Sequence, residues 1–206
     1  MPFYRDHILP RLIDCSCSLP LVTRQREKIV PLATGRVLDV GAGSGLNLPL
    51  YDAARVTEVV GIEPDPTLRG LAQQRAQGRP FPIRLLPLRA EEDGLERQSF
   101  DTIVVTYALC SIQQIEAALA NLRRLLKPNG RVLFCEHGAA PDANVRKWQD
   151  RLAPLWLSLA GGCHLNRDSV ALLRSSGFAI DAFEMFYLRH TPRILGYHTI
   201  GTAHVS

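Results

Sequence analysis

Val37-Leu38-Asp39-Val40-Gly41-Ala42-Gly43-Ser44-Gly45-Leu46-Asn47 is a short apolar run that ends on an acid and passes into three closely spaced glycines. A run of this length, bounded by glycine, reads as a buried strand. The glycines permit positive φ and close approach of backbone to a ligand. In open α/β sheets, ligands sit at the carboxyl ends of such strands. Outward from this stretch, Val59-Val60-Gly61-Ile62-Glu63 reads as a second strand and Ile83–Leu86 as a third. Thr102–Thr106 reads as a fourth and Arg131–Glu136 as a fifth. Helical patterns separate them at Leu46–Arg55, Pro66–Gln77 and Gln113–Leu126. This alternation predicts an α/β fold, a mostly parallel sheet with helices on both faces.

Before the first strand, Ile8, Leu9, Leu12 and Ile13 recur at helical spacing, and Leu21, Val22, Ile29 and Val30 mark a second helical segment after Pro20. Residues 1–34 are therefore expected to form an N-terminal helical cap over the ligand edge of a domain at 35–206. Lys127-Pro128-Asn129-Gly130 stops a helix and turns into the fifth strand. Later, Trp148, Leu152, Leu155, Trp156 and Leu159 form an amphipathic pattern that contains Pro154. Arg167–Ser175 predicts another helix, and Phe178–Phe186 and Tyr197–Ala203 predict two closing strands that pair as a hairpin.

The spacing of the glycines speaks to the ligand. A dinucleotide site requires G-x-G-x-x-G/A, but here the third position is occupied by Leu46 and the spacing is G-x-G-x-G. Asp39, just ahead of the turn, opposes a pyrophosphate and attracts an ammonium. S-adenosylmethionine (SAM) has no phosphate and carries an amino group beside a carboxylate. A helix N-terminus after Gly45 is expected to meet that carboxylate. Glu63 ends the second strand 22 residues after Gly41, where an acid accepts hydrogen bonds from ribose hydroxyls. Ala90-Glu91, after the third strand, is expected to border the adenine.

Composition limits the alternatives. The 206 residues carry a formal net charge of +4, which is mildly basic. Lysine occurs only at Lys28, Lys127 and Lys147, and the arginines are scattered, so no basic stripe for nucleic acid is expected. Cys15, Cys17, Cys110, Cys135 and Cys163 are odd in number and include no Cys-x2-Cys spacing, so neither a disulfide framework nor a metal site is expected. No secretory leader and no run of 18 apolar residues is visible. The expected setting is a reducing cytoplasm, with peripheral membrane contact as the closest approach to lipid.

With these residues in view, the chain resembles the class I SAM-dependent methyltransferase superfamily over nearly its whole length. The resemblance rests on the Val37–Asn47 glycine motif and Glu63, with Ser99-Phe100-Asp101 opening the fourth strand and Leu126-Lys127-Pro128-Asn129-Gly130 before the fifth. It implies a Rossmann-like seven-stranded sheet of order 3-2-1-4-5-7-6 with strand 7 antiparallel. It also implies SAM contacts from Asp39, Gly41, Ala42, Gly43, Gly45, Asn47, Glu63, Pro64, Ala90, Glu91, Thr106 and Leu109. Arg89 stands where the superfamily often has Asp.

Leu109–Phe178 is similar to the methyltransferase-like alkyl thiol methyltransferases and their bacterial relatives. The shared marks are Leu109-Cys110-Ser111, Glu136-His137, Trp148-Gln149, Pro154-x-Trp156 and Gly162-Cys163-His164-Leu165-Asn166-Arg167. Animal members carry an N-terminal membrane anchor, which is not expected here. The function implied is methylation of a small, partly hydrophobic acceptor, with a thiol as the first candidate. His137 is the first candidate base and His164 the second, because a thiol of pKa about 8.5 needs help to ionise. Cys110, Cys163, Tyr107 and Trp148 are candidates for the acceptor wall.

Four alternatives stand beside this reading. One is N- or O-methylation of an amine, phospholipid headgroup or quinone. A SAM-binding sensor or scaffold is disfavoured by the intact glycine turn. A nucleic-acid methyltransferase is disfavoured because Thr106-Tyr107-Ala108-Leu109 replaces Asn/Asp-Pro-Pro-aromatic. A nicotinamide dehydrogenase is disfavoured by the misplaced third glycine.

Overall fold

The computed structural model describes residues 3–206, without the side chains of residues 5 and 6. Met1 and Pro2 of the expected cap lie outside the described residues. Seven strands form one sheet: β1 (Gly35–Val40), β2 (Val56–Ile62), β3 (Ile83–Leu86), β4 (Phe100–Thr106), β5 (Leu126–His137), β6 (Phe178–Tyr187) and β7 (Tyr197–Val205). Their order is β3-β2-β1-β4-β5-β7-β6, as the resemblance implies. Strands β1 to β5 run parallel, and β7 runs antiparallel to both β5 and β6. The order reverses between β2-β1 and β4, which opens a crevice at the carboxyl edge of β1.

Period-2 alternation distributes the apolar residues between two cores. Leu38 and Val40 of β1, with Ile103 and Val105 of β4, face α4 (Ile115–Leu125) and α6 (Ser169–Ser175). Val37, Val104, Leu133 and Cys135 point the other way, toward Ile29 and Val30 ahead of the sheet and toward Tyr51 and Phe81. Both faces are covered, which is why β1 and β4 read as continuous apolar runs.

Helices α1 (Leu9–Cys17) and α2 (Pro20–Ile29) precede the sheet, and Pro20 starts the second, where its missing N–H costs nothing. Helix α3 (Pro66–Ala76) is capped by Asp65, whose Oδ1 accepts from the N–H groups of Thr67 and Leu68 at 2.8 and 2.9 Å. Helix α5 (Ala143–Leu159) contains Pro154 and carries on through it.

The expected helix at Leu46–Arg55 is absent. In its place is a single 3-10 turn at Leu48–Leu50. Leu48 and Tyr51 are buried at helical spacing, which produced the apparent period. Pro49 contributes no backbone donor, and Asp52 Oδ1 accepts from Ala54 N at 2.9 Å, turning the chain toward β2. No helix N-terminus therefore follows Gly45 to receive a carboxylate. The expected turn at residues 127–130 bulges within β5: Phe100 pairs with Leu126 and Thr102 with Arg131.

Candidate active site

A cavity of about 350 Å³ opens at the carboxyl edge of β1, β2 and β4, within the range of small-molecule sites. The sheet side of its wall is Gly41, Ala42, Gly43 and Asn47 after β1, Glu63 and Pro64 after β2, Ala90 and Glu91 after β3, and Thr106 at the end of β4. The opposite side is Leu9, Pro10, Ile13 and Cys17 of α1 and Arg26 of α2. The two N-terminal helices thus close over the ligand edge.

Gly43 has φ +56°, and a Cβ there would meet only the Gly41 carbonyl at 3.8 Å. The backbone at this point faces open cavity. Its N–H donates to Glu63 Oε2 at 3.0 Å, and Asp65 N donates to Oε1 at 2.8 Å. Glu63 therefore ties the glycine turn to the start of α3 while each carboxylate oxygen keeps a lone pair for a ligand. Burial raises its pKa, and the two backbone hydrogen bonds oppose that shift. Gly45 does not line the cavity. A Cβ there would stand 2.9 Å from Ala72 Cα, so this glycine lets α3 pack against the turn.

Asp39 is fully buried and does not line the cavity either. It shares the parity of Val37, so its side chain enters the core on the Tyr51 side rather than passing the strand end. Its Oδ1 accepts from Asn47 Nδ2 at 2.9 Å, and that amide also donates to Thr106 Oγ1 at 3.0 Å. The carboxylate acts on the cavity through Asn47. Burial lifts its pKa from 3.8 to about 6 against the Asn47 hydrogen bond.

The folded state therefore holds the Asp39 proton more tightly than the unfolded chain does. Asp39's contribution to the stability of the ligand-free protein falls by about 3 kcal/mol as pH rises from about 4 to about 6, and buried Glu136, raised to about 7, continues the fall above that. Asp39→Asn should flatten that slope. Urea unfolding between pH 4 and 7 checks it, and an unchanged slope in the variant counts against the assignment.

The loop after β3 is held from below. Asn121 Nδ2, buried on α4, donates to the carbonyls of Ala90 at 2.8 Å and Glu92 at 2.9 Å. Arg89 lines the cavity, and its backbone N–H donates to Glu92 Oε2.

Two cap residues were not legible as site residues. Asp14 accepts from Ser44 Oγ at 2.5 Å and from Arg75 Nη2 at 3.2 Å, while Arg75 Nη1 donates to the Ser44 carbonyl at 2.6 Å. This network fastens α1 to the glycine turn and α3. Burial pushes the Asp14 carboxyl up, but its hydrogen bonds to Arg75 and Ser44 outweigh that and hold it below the ordinary range. Arg26 is buried beside the cavity, with Nη1 donating to the Cys17 carbonyl at 2.7 Å and the guanidinium 4.7 Å from the centre of the Tyr107 ring. Its Nε has no hydrogen-bond partner among the described residues.

The loop after β4 supplies the remaining wall. Tyr107 has φ +57°, a left-handed conformation that costs a non-glycine residue about 1–2 kcal/mol. Glu136 Oε1 holds the next turn, accepting from Ala108 N at 2.8 Å and Leu109 N at 3.1 Å. Leu109 itself is in the core, not on the cavity wall. Neither histidine lines the cavity. His137 ends β5 with Nε2 3.1 Å from Cys163 Sγ. Burial disfavours its charged form, but Cys163 outweighs burial and the ring's pKa rises. His164 is half-buried, and its backbone N–H donates to the Cys110 carbonyl at 2.8 Å. Trp148 is mostly exposed on α5, away from the cavity wall.

A family model described as a methyltransferase domain matches residues 11–182. Among curated proteins, thiol S-methyltransferase TMT1B of Homo sapiens is 30% identical over 181 residues, covering 83% of this chain and 72% of that protein. Thiol S-methyltransferase TMT1A of Homo sapiens is 32% identical over 163 residues, covering 77% and 66%. The match to thiol S-methyltransferase TMT1B of Rattus norvegicus is 31% identical over 65% of this chain, and it spans just 55% of the rat protein. Among solved structures, a SAM-dependent methyltransferase of Thermotoga maritima superposes with TM-score 0.68 at 18% identity, covering 97% of this chain and 98% of that one. The [4+2]-cyclase SpnF superposes with TM-score 0.67 at 18% identity, covering 90% and 82%, so the fold by itself does not set the reaction. Among the described residues no helix is long and apolar enough to cross a membrane. The matched domain, the strand order and the glycine cavity agree, and the chain belongs to the methyltransferase-domain family, within the class I SAM-dependent methyltransferases.

Proposed function

We propose that this chain moves the methyl group of SAM to the sulfur of a small, partly hydrophobic thiol. The observation that carries the reading is one cavity with two chemically different sides. On the sheet side, Glu63 offers acceptors for ribose hydroxyls, and Gly43 leaves room for the nucleoside. Ala90 and Glu91 border the adenine. At the amino-acid end, Asn47 and Thr106 carry the influence of Asp39 to the ammonium, and Arg26, which lines the cavity, meets the carboxylate with its guanidinium. Arg26 thus takes the part first expected of a helix N-terminus. Gly41, Ala42 and Pro64 shape the wall, and Gly45 and Leu109 support it from behind.

Apart from Arg26, the opposite side is apolar: Leu9, Pro10 and Ile13 face it, and Gly161 approaches Leu9 from the end of α5. Residues 1–34 serve as the cap and 35–206 as the methyltransferase domain. Exposed Leu12, Leu19, Leu155 and Leu159 on α1, on α5 and in the turn before α2 suit an apolar acceptor and a peripheral contact with a membrane surface. The five free thiols suit a reducing cytoplasm, and no nucleic-acid partner is proposed.

Transfer from a sulfonium is an in-line displacement in which the donor is already activated. The chain's own residues bind, align and exclude water. Because neither imidazole reaches the cavity wall, both residues are assigned to positioning: the His137 ring holds Cys163, and the His164 backbone N–H holds the Cys110 carbonyl.

A panel of alkyl thiols, amines, phenols and quinols with SAM tests the acceptor class. At least one alkyl thiol should show kcat/KM about 100-fold above any amine or phenol. Turnover of an amine, phenol or quinol with none of any thiol moves the chain to N- or O-methylation. SAM binding without turnover of any acceptor leaves a sensor.

A further inference from the structure

We infer that Cys110, His137 and Cys163 form a binding site for a thiophilic divalent cation of the zinc type, with a fourth coordination position open toward the acceptor side of the cavity. This goes beyond methyl transfer. Only the identity of the fourth ligand, the acceptor's thiolate, rests on the thiol reading. It also departs from the cysteine spacing, which offers no metal motif.

The three donor atoms come from three separate segments: the loop after β4, the end of β5 and the loop after α5. They all lie within 4.8 Å of one another, and His137 Nε2 is 3.1 Å from Cys163 Sγ. A tetrahedral ion with Zn–S about 2.3 Å and Zn–N about 2.0–2.1 Å needs donor separations of about 3.5–3.8 Å, which these values bracket. Two sulfurs and an imidazole suit a soft or borderline cation and not magnesium or calcium.

The site is built before any ion arrives. Gly161 and Gly162, at φ +64° and +86°, turn the chain so that Cys163 faces the strands. His164 N donates to the Cys110 carbonyl at 2.8 Å, which locks the two cysteine segments together. Arg167 Nη1 donates to the Leu109 carbonyl and to the Ile112 carbonyl at 2.7 Å, and Ala139 N donates to the Arg167 carbonyl at 3.1 Å. Ligand side chains are therefore carried on a loop already pinned to β4 and β5, the arrangement a precise metal site needs.

Structural zinc sites close with four protein ligands, and catalytic ones keep a position for substrate. Among the described residues the cluster has three ligands. Ala108 and Ser111, on either side of Cys110, line the cavity, as does Gly161 beside the Cys163 turn. None of the three ligands itself lines the cavity, so the open position reaches the apolar acceptor side through the gap between these neighbours. An acceptor thiol that coordinates there loses its proton to solvent and is held as a thiolate. Its sulfur then forms the new bond to the methyl carbon. The carbon–sulfonium bond breaks, and the bonding pair stays on the sulfur of S-adenosylhomocysteine.

The test uses the full chain, purified with zinc present and then depleted and refilled. Mass spectrometry of metal content should give close to one zinc per chain. Cobalt(II) replacement should give thiolate-to-cobalt charge-transfer absorption, weakened more than about 100-fold in metal affinity by Cys163→Ser and by His137→Gln, with Cys15→Ser as an exposed control. A small alkyl thiol added without SAM should add a further sulfur-to-cobalt band. No stoichiometric metal, a Cys110–Cys163 disulfide in its place, or cobalt spectra indifferent to both variants overturns the site. A spectrum indifferent to the thiol overturns the open position. If metal-free protein methylates thiols at the full rate, this inference fails and the thiol reading stands. If zinc-loaded, SAM-bound protein methylates no thiol, the thiol reading fails and the metal site stands.

Discussion

Gly43→Val should weaken SAM binding at least about 100-fold, a loss of about 2.7 kcal/mol, and leave the fold in place. The position separates cofactor space from protein space. A Cβ at Gly43 meets no protein atom closer than 3.8 Å, so the valine methyls enter the cavity and displace the ligand, not the chain. The left-handed φ of +56° adds a stability cost of about 1–2 kcal/mol, visible as a modest drop in Tm. Gly41→Val would be less informative, because a Cβ there stands 2.8 Å from Ala108 Cβ and would move the loop after β4. Calorimetric titration with SAM, beside a circular dichroism melt, reads both quantities. Wild-type affinity in Gly43→Val would remove the glycine turn from the cofactor site.

Glu63→Ala should raise the Kd for SAM by about 30–100-fold and also lower stability. The first effect is the loss of charge-assisted acceptors for the ribose, about 1.5–3 kcal/mol. The second arises because Gly43 N and Asp65 N, now bonded to the two carboxylate oxygens, lose their partner. Glu63→Gln separates the two: its amide keeps one carbonyl acceptor for a backbone N–H but is a poorer partner for two hydroxyls. Affinity should fall in the order wild type, Gln, Ala. Equal affinity in all three would show that Glu63 only braces the turn.

The centre of the sheet was readable because β1, β2 and β4 carry short apolar runs closed by glycine, acid or turn residues, and burial on both faces makes such runs continuous. Glu63 was readable because it falls at the end of β2, beside the glycine turn. Residues 46–55 were misread because Leu48 and Tyr51 reproduce a helical interval in a segment that Pro49 and Asp52 break. Asp39 was expected to meet the ligand directly, but strand parity points its carboxylate into the core, and Asn47 makes the contact with the cavity.

Arg26 and Asp14 carried no local signal. Their roles depend on α1 and α2 folding back over the carboxyl edge, and no pattern within a helix reveals that. Part of the Cys110, His137 and Cys163 cluster was legible, since β4 and β5 are neighbours and both residues follow at their carboxyl ends. Cys163 arrives from a loop after α5, and its position depends on the tertiary anchor at Arg167.

A crystal structure of the protein with S-adenosylhomocysteine tests the central claim most directly. The account predicts the ligand in the cavity at the carboxyl edge of β1 and β2, its ribose hydroxyls on Glu63 and its carboxylate on Arg26. The sulfur should face the side formed by Ile13, Cys17 and Gly161. A ligand bound elsewhere, or one in this cavity with its amino-acid end on Glu63 and its adenine against Arg26, would contradict it.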